Sequence, residues 1–157
     1  MSNPVTITAP EALPFIEIVR EFDAPVSAVY RAHVDPELVK QWLGPHGYEM
    51  RIDRYDVRTG GGYRYVHTND GEEYAFNGVF HVARTDELII QTFEYEGSPG
   101  VVSIETATFV DLGDGRTRLE GHSTFPSVQT RDLIIEQGME VGVVEGFERL
   151  DALVVAD

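Results

Sequence analysis

The chain has 157 residues, 42% of them hydrophobic and 10% aromatic, which is enough for one sizeable core but too few for two ordinary domains. Its formal net charge of -15 would repel phosphate backbones and anionic membrane surfaces. No apolar stretch approaches the roughly 18 residues that span a bilayer. Neither nucleic acid nor a membrane is therefore an expected partner. The absence of cysteine excludes disulfides and thiolate metal sites and is typical of a cytoplasmic protein.

The N-terminal segment contains two prolines and no regular pattern. We predict that residues 1–13 form a loose tail and that residues 14–157 form one domain. The domain begins with an alternating segment, Phe15 to Phe22, which is typical of a strand.

Two short helices are expected after this strand. Asp23-Ala24-Pro25 and Asp35-Pro36 each place a capping aspartate ahead of a proline that suits the first helical turn. They predict helices over about residues 25–34 and 36–42. Glycine and proline in residues 44–47 end the second helix.

The remainder divides into a strand-rich part and a helical part. Residues 48–125 alternate between apolar and polar side chains and are interrupted by turn sequences, which predicts a meander of about six antiparallel strands. Residues 127–155 contain no proline, and their apolar residues recur at helical spacing. We predict one long C-terminal helix, roughly 40 Å in length, lying across one face of the sheet.

Aromatic residues gather on one face of the predicted sheet. A hairpin turn centred on Asp70-Gly71 pairs Tyr63 with Gly78, Tyr65 with Phe76 and His67 with Tyr74, and Phe80 continues the same face. The opposite face carries mainly charged and polar residues, so the aromatic face is predicted to point inward. These rings could equally form an ordinary packed core.

One carboxylate is also predicted to face inward. A second turn, centred on Asp114, pairs Phe109 with Leu119, Ala107 with Gly121 and Glu105 with Ser123. An unpaired buried charge is costly, so Glu105 either lies near the end of the sheet, within reach of water or an arginine, or serves as a polar anchor in an apolar pocket.

Three glycines are spaced four residues apart in the predicted C-terminal helix: Gly138, Gly142 and Gly146. Each glycine in a helix costs about 1 kcal/mol relative to alanine, so their presence requires a reason. Either the helix backbone packs closely on the sheet, or the missing side chains leave a cavity.

Several segments, spread from about residue 15 to the C-terminus, together resemble the activator-of-heat-shock-ATPase-like branch of the START-like (SRPBCC) superfamily. They are Phe22-Asp23-Ala24-Pro25, Asp35-Pro36-Glu37-Leu38, Gln41-Trp42-Leu43-Gly44-Pro45, Gly78-Val79-Phe80, Thr117-Arg118-Leu119 and Gly138-Met139. The resemblance implies an α+β helix-grip fold, in which a curved antiparallel sheet and a long C-terminal helix enclose a cavity. Many relatives bind apolar molecules there.

We therefore predict a protein that binds a small apolar molecule between the sheet and the C-terminal helix, with no cofactor and no metal. Glu105 would be the polar anchor, Trp42 would lie near the entrance, and a homodimer is left open. The predicted ligand-binding residues are Trp42, Tyr63, Tyr65, Tyr74, Phe76, Phe93, Glu105, Phe109, Met139, Gly142 and Phe147.

Two alternatives stay open at this point. Polyketide cyclases and aromatases use this kind of fold, and an enzyme would need a general acid or base such as Glu105, His46, His122 or Tyr65. However, His122 is predicted to lie on the face opposite Glu105, and neither a nucleophile elbow nor a metal-binding histidine pattern is present. The other alternative is a stress-related, co-chaperone-like module that binds another protein.

Overall fold

The computed structural model describes residues 3–155 of the chain. Its elements follow in the order β1 (Thr6–Thr8), β2 (Phe15–Phe22), α1 (Val26–Val34), α2 (Pro36–Trp42), β3 (Glu49–Tyr55), β4 (Gly62–Asn69), β5 (Glu72–Arg84), β6 (Leu88–Tyr95), β7 (Val102–Gly113), β8 (Arg116–Thr124), α3 (Val128–Glu136) and α4 (Met139–Val155).

The eight strands form one antiparallel sheet in the order β1-β2-β8-β7-β6-β5-β4-β3. The first long strand and the six-strand meander are confirmed, and β2 pairs with the last strand of the meander. Irregular pairing interrupts β3, β5 and β7, and such bulges bend strands. The result is the predicted α+β helix-grip architecture with a curved open sheet.

The predicted registers of both hairpins are confirmed. Tyr65 lies opposite Phe76 in the β4–β5 pair, and Glu105 lies opposite Ser123 in the β7–β8 pair. Both residues of the first turn have a positive φ, which is 52° at Asp70 and 79° at Gly71. This conformation is the one that a two-residue type I′ hairpin turn requires.

The prediction of a loose tail over residues 1–13 is wrong for Thr6–Thr8. These three residues form β1, in which Ile7 pairs with Ile18 of β2. The guanidinium of Arg131 in α3 also donates a hydrogen bond to the carbonyl of Pro10. A strand of three residues is too short for alternation to reveal it. Residues 1 and 2, which belong to the same predicted tail, lie outside the described range, as do residues 156 and 157 of the predicted domain.

Both short helices are confirmed, but only one of the two predicted caps is present. The Asp35 carboxylate accepts a hydrogen bond from the backbone N–H of Glu37 at 3.0 Å and caps α2. At α1 the N-cap position is occupied by Pro25, without a side-chain hydrogen bond. Asp23 instead accepts a hydrogen bond from Arg116 at 3.1 Å, which fixes the end of β2 against β8.

The prediction of one continuous C-terminal helix is wrong. The segment divides into α3 and α4, and Gly138 between them has a φ of 86°. That left-handed conformation suits glycine and ends a helix. The helix that crosses the sheet is therefore α4 alone, whose 17 residues span about 25 Å.

The core lies between the inner face of the sheet and the helices. Phe22, Phe80 and Leu150 are fully buried there. Arg20, which is only 3% exposed, connects β2 to α4 because its guanidinium donates to the carbonyl of Phe147 and lies 3.6 Å from the Asp151 carboxylate. Within residues 3–155, no helix is long and apolar enough to cross a bilayer.

Candidate functional site

A cavity of about 390 Å³ lies between the inner face of the sheet and α4. Strands β2 to β8 supply one wall, α4 supplies the opposite wall, and α1, α2 and the Gly44-Pro45 segment close it from the side. Its volume falls within the range of roughly 300–1,000 Å³ that is typical of small-molecule sites.

Nine of the eleven predicted residues line this cavity. They are Trp42, Tyr63, Tyr65, Phe76, Phe93, Glu105, Met139, Gly142 and Phe147. The hairpin registers place the strand residues on one face of the sheet, and helical spacing places Met139, Gly142 and Phe147 on the facing side of α4. Their role in binding a ligand stays a prediction.

The placement of Tyr74 and Phe109 in the cavity wall is wrong. Tyr74 lies near the first residue of β5. Its ring centroid is 6.0 Å from that of Tyr48 and 6.4 Å from that of Tyr95. Phe109 is buried in the core and packs edge-to-face on Tyr30 at 5.1 Å. Strand alternation gave the correct face for both residues, but it carries no information on where the cavity ends along the strand.

The sheet side of the cavity is a continuous aromatic surface. The rings of Tyr63 and Tyr65 stack at 5.9 Å, Tyr65 meets Phe76 at 5.3 Å, and Phe76 stacks on Phe93 at 5.3 Å. Gly78 makes this arrangement possible, because a Cβ there would lie 2.6 Å from the Tyr63 hydroxyl and 2.0 Å from a backbone oxygen. The aromatic surface therefore depends on a position without a side chain.

Glu105 places a carboxylate in this apolar surrounding. Its side chain is half-buried and lines the cavity, and Ser123 donates a long hydrogen bond of 3.5 Å to it. Burial raises the pKa of Glu105 to about 7, against an ordinary value of 4.5, and the hydrogen bond from Ser123 opposes this only in part. The predicted polar anchor is thus a carboxyl group that titrates near neutral pH.

Two histidines of the cavity wall were not predicted as site residues. His33 in α1 is half-buried, and desolvation of its ring lowers its pKa to about 4. Its Nδ1 lies 2.8 Å from the carbonyl of Val29. His33 follows Val26 by seven residues, which is about two helical turns. The sequence could therefore have placed His33 on the core-facing side of α1.

His67 is the second of these histidines. It is 6% exposed, and burial, followed by a smaller effect of Arg149, lowers its pKa, whereas a backbone hydrogen bond with Glu49 opposes the shift. The Nδ1 of His67 has no hydrogen-bond partner within the described part of the chain, residues 3–155. The sequence places His67 on the inward face, but the presence of the cavity beside it depends on the tertiary packing.

The two helical glycines on the cavity side have different roles. A Cβ on Gly146 would lie 3.2 Å from the backbone oxygen of Trp42, whereas a Cβ on Gly142 would meet only Pro45, at 3.9 Å. Gly146 therefore permits close packing of α4 on the end of α2. Gly142 leaves space that belongs to the cavity.

Of the other candidate acids and bases, Tyr65 and His122 also line the cavity, whereas His46 does not. His122 packs on the ring of Phe15 at 4.7 Å and, as predicted, is on the face opposite Glu105 according to the strand pairing. The backbone N–H of His46 donates to the exposed carboxylate of Glu145 at 3.0 Å. Among residues 3–155, no group of three or more histidine or acidic side chains is arranged to hold a metal ion.

Comparison with known proteins gives one family. The family model described as "Activator of Hsp90 ATPase homolog 1-like protein" matches residues 23–155. A search of curated proteins returned no match.

Several solved structures are similar over nearly the whole chain. Protein CV1439 from Chromobacterium violaceum is 28% identical, with a TM-score of 0.82 over 92% of this chain and 99% of its own. Protein Ms6760 from Mycobacterium smegmatis is 25% identical, with a TM-score of 0.87 over 98% and 99% of the two chains. A protein from Arthrobacter aurescens is 28% identical, with a TM-score of 0.87 over 97% of this chain and 92% of its own.

Proposed function

Because the chain belongs to the Activator of Hsp90 ATPase homolog 1-like family, of START-like (SRPBCC) type, we propose that it binds a small hydrophobic or aromatic molecule between the sheet and α4. The observation that supports this proposal is the cavity of about 390 Å³ with its aromatic surface. A protein without a ligand would gain stability by filling such a space, since empty volume in a core is destabilising. Gly142, which leaves part of that space open, costs helix stability as well.

Native mass spectrometry of the purified protein, followed by organic extraction, tests the proposal. We expect an apolar molecule at a stoichiometry near one per chain, or, if the protein purifies empty, saturable binding of an uncharged apolar fluorescent probe such as N-phenyl-1-naphthylamine. The absence of both a co-purified molecule and probe binding would contradict the proposal. That outcome would favour the protein-interaction module.

A substitution that fills the cavity locates the binding site. Gly142→Leu places an isobutyl group in the space that the glycine leaves open, so we expect at least a tenfold loss of affinity for the bound molecule or probe, equal to about 1.4 kcal/mol. Val141→Leu is the matched control, since it introduces the same side chain at the adjacent position of α4, where Val141 is 58% exposed. Equal binding by the two variants would place the ligand outside this cavity.

Catalysis on the bound molecule is a second candidate function, favoured by Glu105. A carboxyl group with a pKa of about 7 beside an apolar pocket has the properties of a general acid or base at neutral pH. A cyclase- or aromatase-like enzyme would convert the extracted molecule at a rate that Glu105→Gln abolishes while binding is retained. Recovery of the molecule unchanged after incubation would leave binding as the function.

A further inference from the structure

Four hydrogen-bond donors of the cavity wall are used inside the protein. The indole N–H of Trp42 donates to the carbonyl of Ala32 at 2.8 Å. The hydroxyl of Tyr55 donates to a backbone carbonyl at 2.8 Å, and that of Tyr63 donates to another at 2.6 Å. Ser123 donates to Glu105. These groups hold the wall in place and are not available to a ligand.

The acceptors of the same wall are left largely unfilled. From residues 3–155, Glu105 receives only the long bond from Ser123. The Nδ1 of His33 must carry the proton that it donates to the carbonyl of Val29, because a carbonyl only accepts, so its Nε2 is an acceptor. His67 offers an unpartnered Nδ1, buried on the cavity side, and its other nitrogen is engaged by the backbone of Glu49.

The aromatic surface adds to this excess of acceptors. The ring faces of Tyr65, Phe76 and Phe93 carry the negative side of their quadrupole and attract a cation within about 6 Å. The chain's formal net charge of -15 also raises the local concentration of cations. Among residues 3–155, burial and Ser123 account for the pKa of Glu105 without any contribution from a cation.

We propose that the cavity selects a protonated aromatic amine, whose ammonium group pairs with Glu105 and whose ring lies against Tyr65, Phe76 and Phe93. The ammonium supplies the charge that the protein does not provide, and its N–H groups are donors for which the wall has unfilled acceptors. A carboxylate ligand would be repelled, and a neutral apolar ligand would leave the acceptors unsatisfied. This inference rests on the proposed function, since it specifies the ligand of the same cavity.

Ionisation of Glu105 couples binding to pH. From about pH 5.5 to pH 8, burial favours the neutral form of four other groups on the wall: it lowers the pKa of His33 to about 4, lowers that of His67, and raises those of Tyr63 and Tyr65. Because only the ionised carboxylate pairs with an ammonium, the apparent affinity follows its ionised fraction, which increases roughly 30-fold over this interval.

The test compares three indoles that differ in their terminal group. Isothermal titration of the intact protein with tryptamine, 3-(2-hydroxyethyl)indole and indole-3-propionate presents an ammonium, a hydroxyl and a carboxylate on the same ring. We expect tryptamine to bind at least tenfold more tightly than the alcohol at pH 8, and the propionate to bind most weakly. The preference for tryptamine should decrease as the pH falls.

Two variants separate the role of Glu105 from the stability of the fold. Glu105→Gln should remove the preference for tryptamine and its pH dependence while the alcohol still binds. Glu120→Gln is the matched control on the outer face of β8, where Glu120 pairs with Arg118 at 2.6 Å, and it should behave like the unaltered protein. Unchanged thermal unfolding of both variants at about pH 5.5, where Glu105 is protonated, shows that the fold is intact.

The outcomes distinguish this inference from the proposed function. Equal binding of tryptamine and the alcohol, or a tryptamine preference that survives Glu105→Gln, would overturn the inference and leave the binding function in place. Binding of the uncharged probe N-phenyl-1-naphthylamine without binding of any indole would do the same. If neither the indoles nor this probe bind, both are overturned.

Discussion

The half-buried carboxyl of Glu105 leads to a prediction about the stability of the protein without a ligand. Its pKa is about 7 in the folded protein and has an ordinary value of 4.5 when exposed. A carboxyl group with a raised pKa stabilises the folded state fully below pH 4.5, and that contribution is lost as the pH rises through 7. The difference of the two pKa values corresponds to about 3 kcal/mol in total, of which about 2–3 kcal/mol is lost between pH 5 and pH 8.

Glu105→Gln isolates this contribution, because glutamine has the same shape but cannot ionise. We expect the free energy of unfolding of the unaltered protein to fall relative to that of the variant by about 2–3 kcal/mol between pH 5 and pH 8. Urea unfolding at several pH values measures it, and the fluorescence of Trp42, which is 6% exposed, reports the transition. All other titrating groups are common to both proteins and cancel in the difference.

The shape of the pH dependence, and not only its size, tests the reasoning. If the difference between the two proteins is the same at pH 5 and at pH 8, Glu105 ionises as an exposed carboxylate and the argument from burial is refuted. A difference that increases with pH but whose midpoint lies well below 7 would mean that water or a cation reaches the carboxylate. Ser123→Ala removes the bond that opposes the shift, so it should raise the pKa of Glu105 further.

Three more substitutions test the packing of α4. Gly142→Ala should stabilise the protein by about 0.5–1 kcal/mol, because alanine has the higher helix propensity. Gly146→Ala should lose that gain, because its Cβ would lie 3.2 Å from a backbone oxygen of α2. Equal effects of the two substitutions in urea unfolding would contradict the close contact. Arg20→Met should cost about 2–4 kcal/mol, since it leaves the carbonyl of Phe147 and the carboxylate of Asp151 without their partner, and a loss below 1 kcal/mol in the same assay would show that this link is not required.

The fold was predictable where local rules decide it. Turn residues such as Asp70-Gly71 determined the hairpin registers, and alternation then assigned each side chain to a face. Two of the errors have specific causes. Thr6–Thr8 is too short to show a period, and Gly138 fits a helical spacing even though its positive φ ends α3. A glycine at a helical position is ambiguous, because the same residue type serves both the interior and the end of a helix.

The cavity was less predictable because it is a property of the packing between elements. The sequence could place Tyr65 and Phe109 on the same inward face, but it could not show that one borders empty space and the other touches Tyr30. The polar part was missed for a related reason. His33 and His67 have no metal-binding spacing, and their importance appears only when the tertiary structure shows which of their nitrogens already have partners.

The arrangement of the cavity explains why so many unfavourable features occur together. Unfilled acceptors at Glu105 and His67 and the open space beside Gly142 each reduce the stability of the empty protein, and in a purely structural domain nothing would compensate for them. Such conflicts with local rules are expected at functional sites. A ligand that donates hydrogen bonds and carries positive charge would relieve the acceptors and the space together, so its binding should raise the unfolding temperature as well as lower the pKa of Glu105.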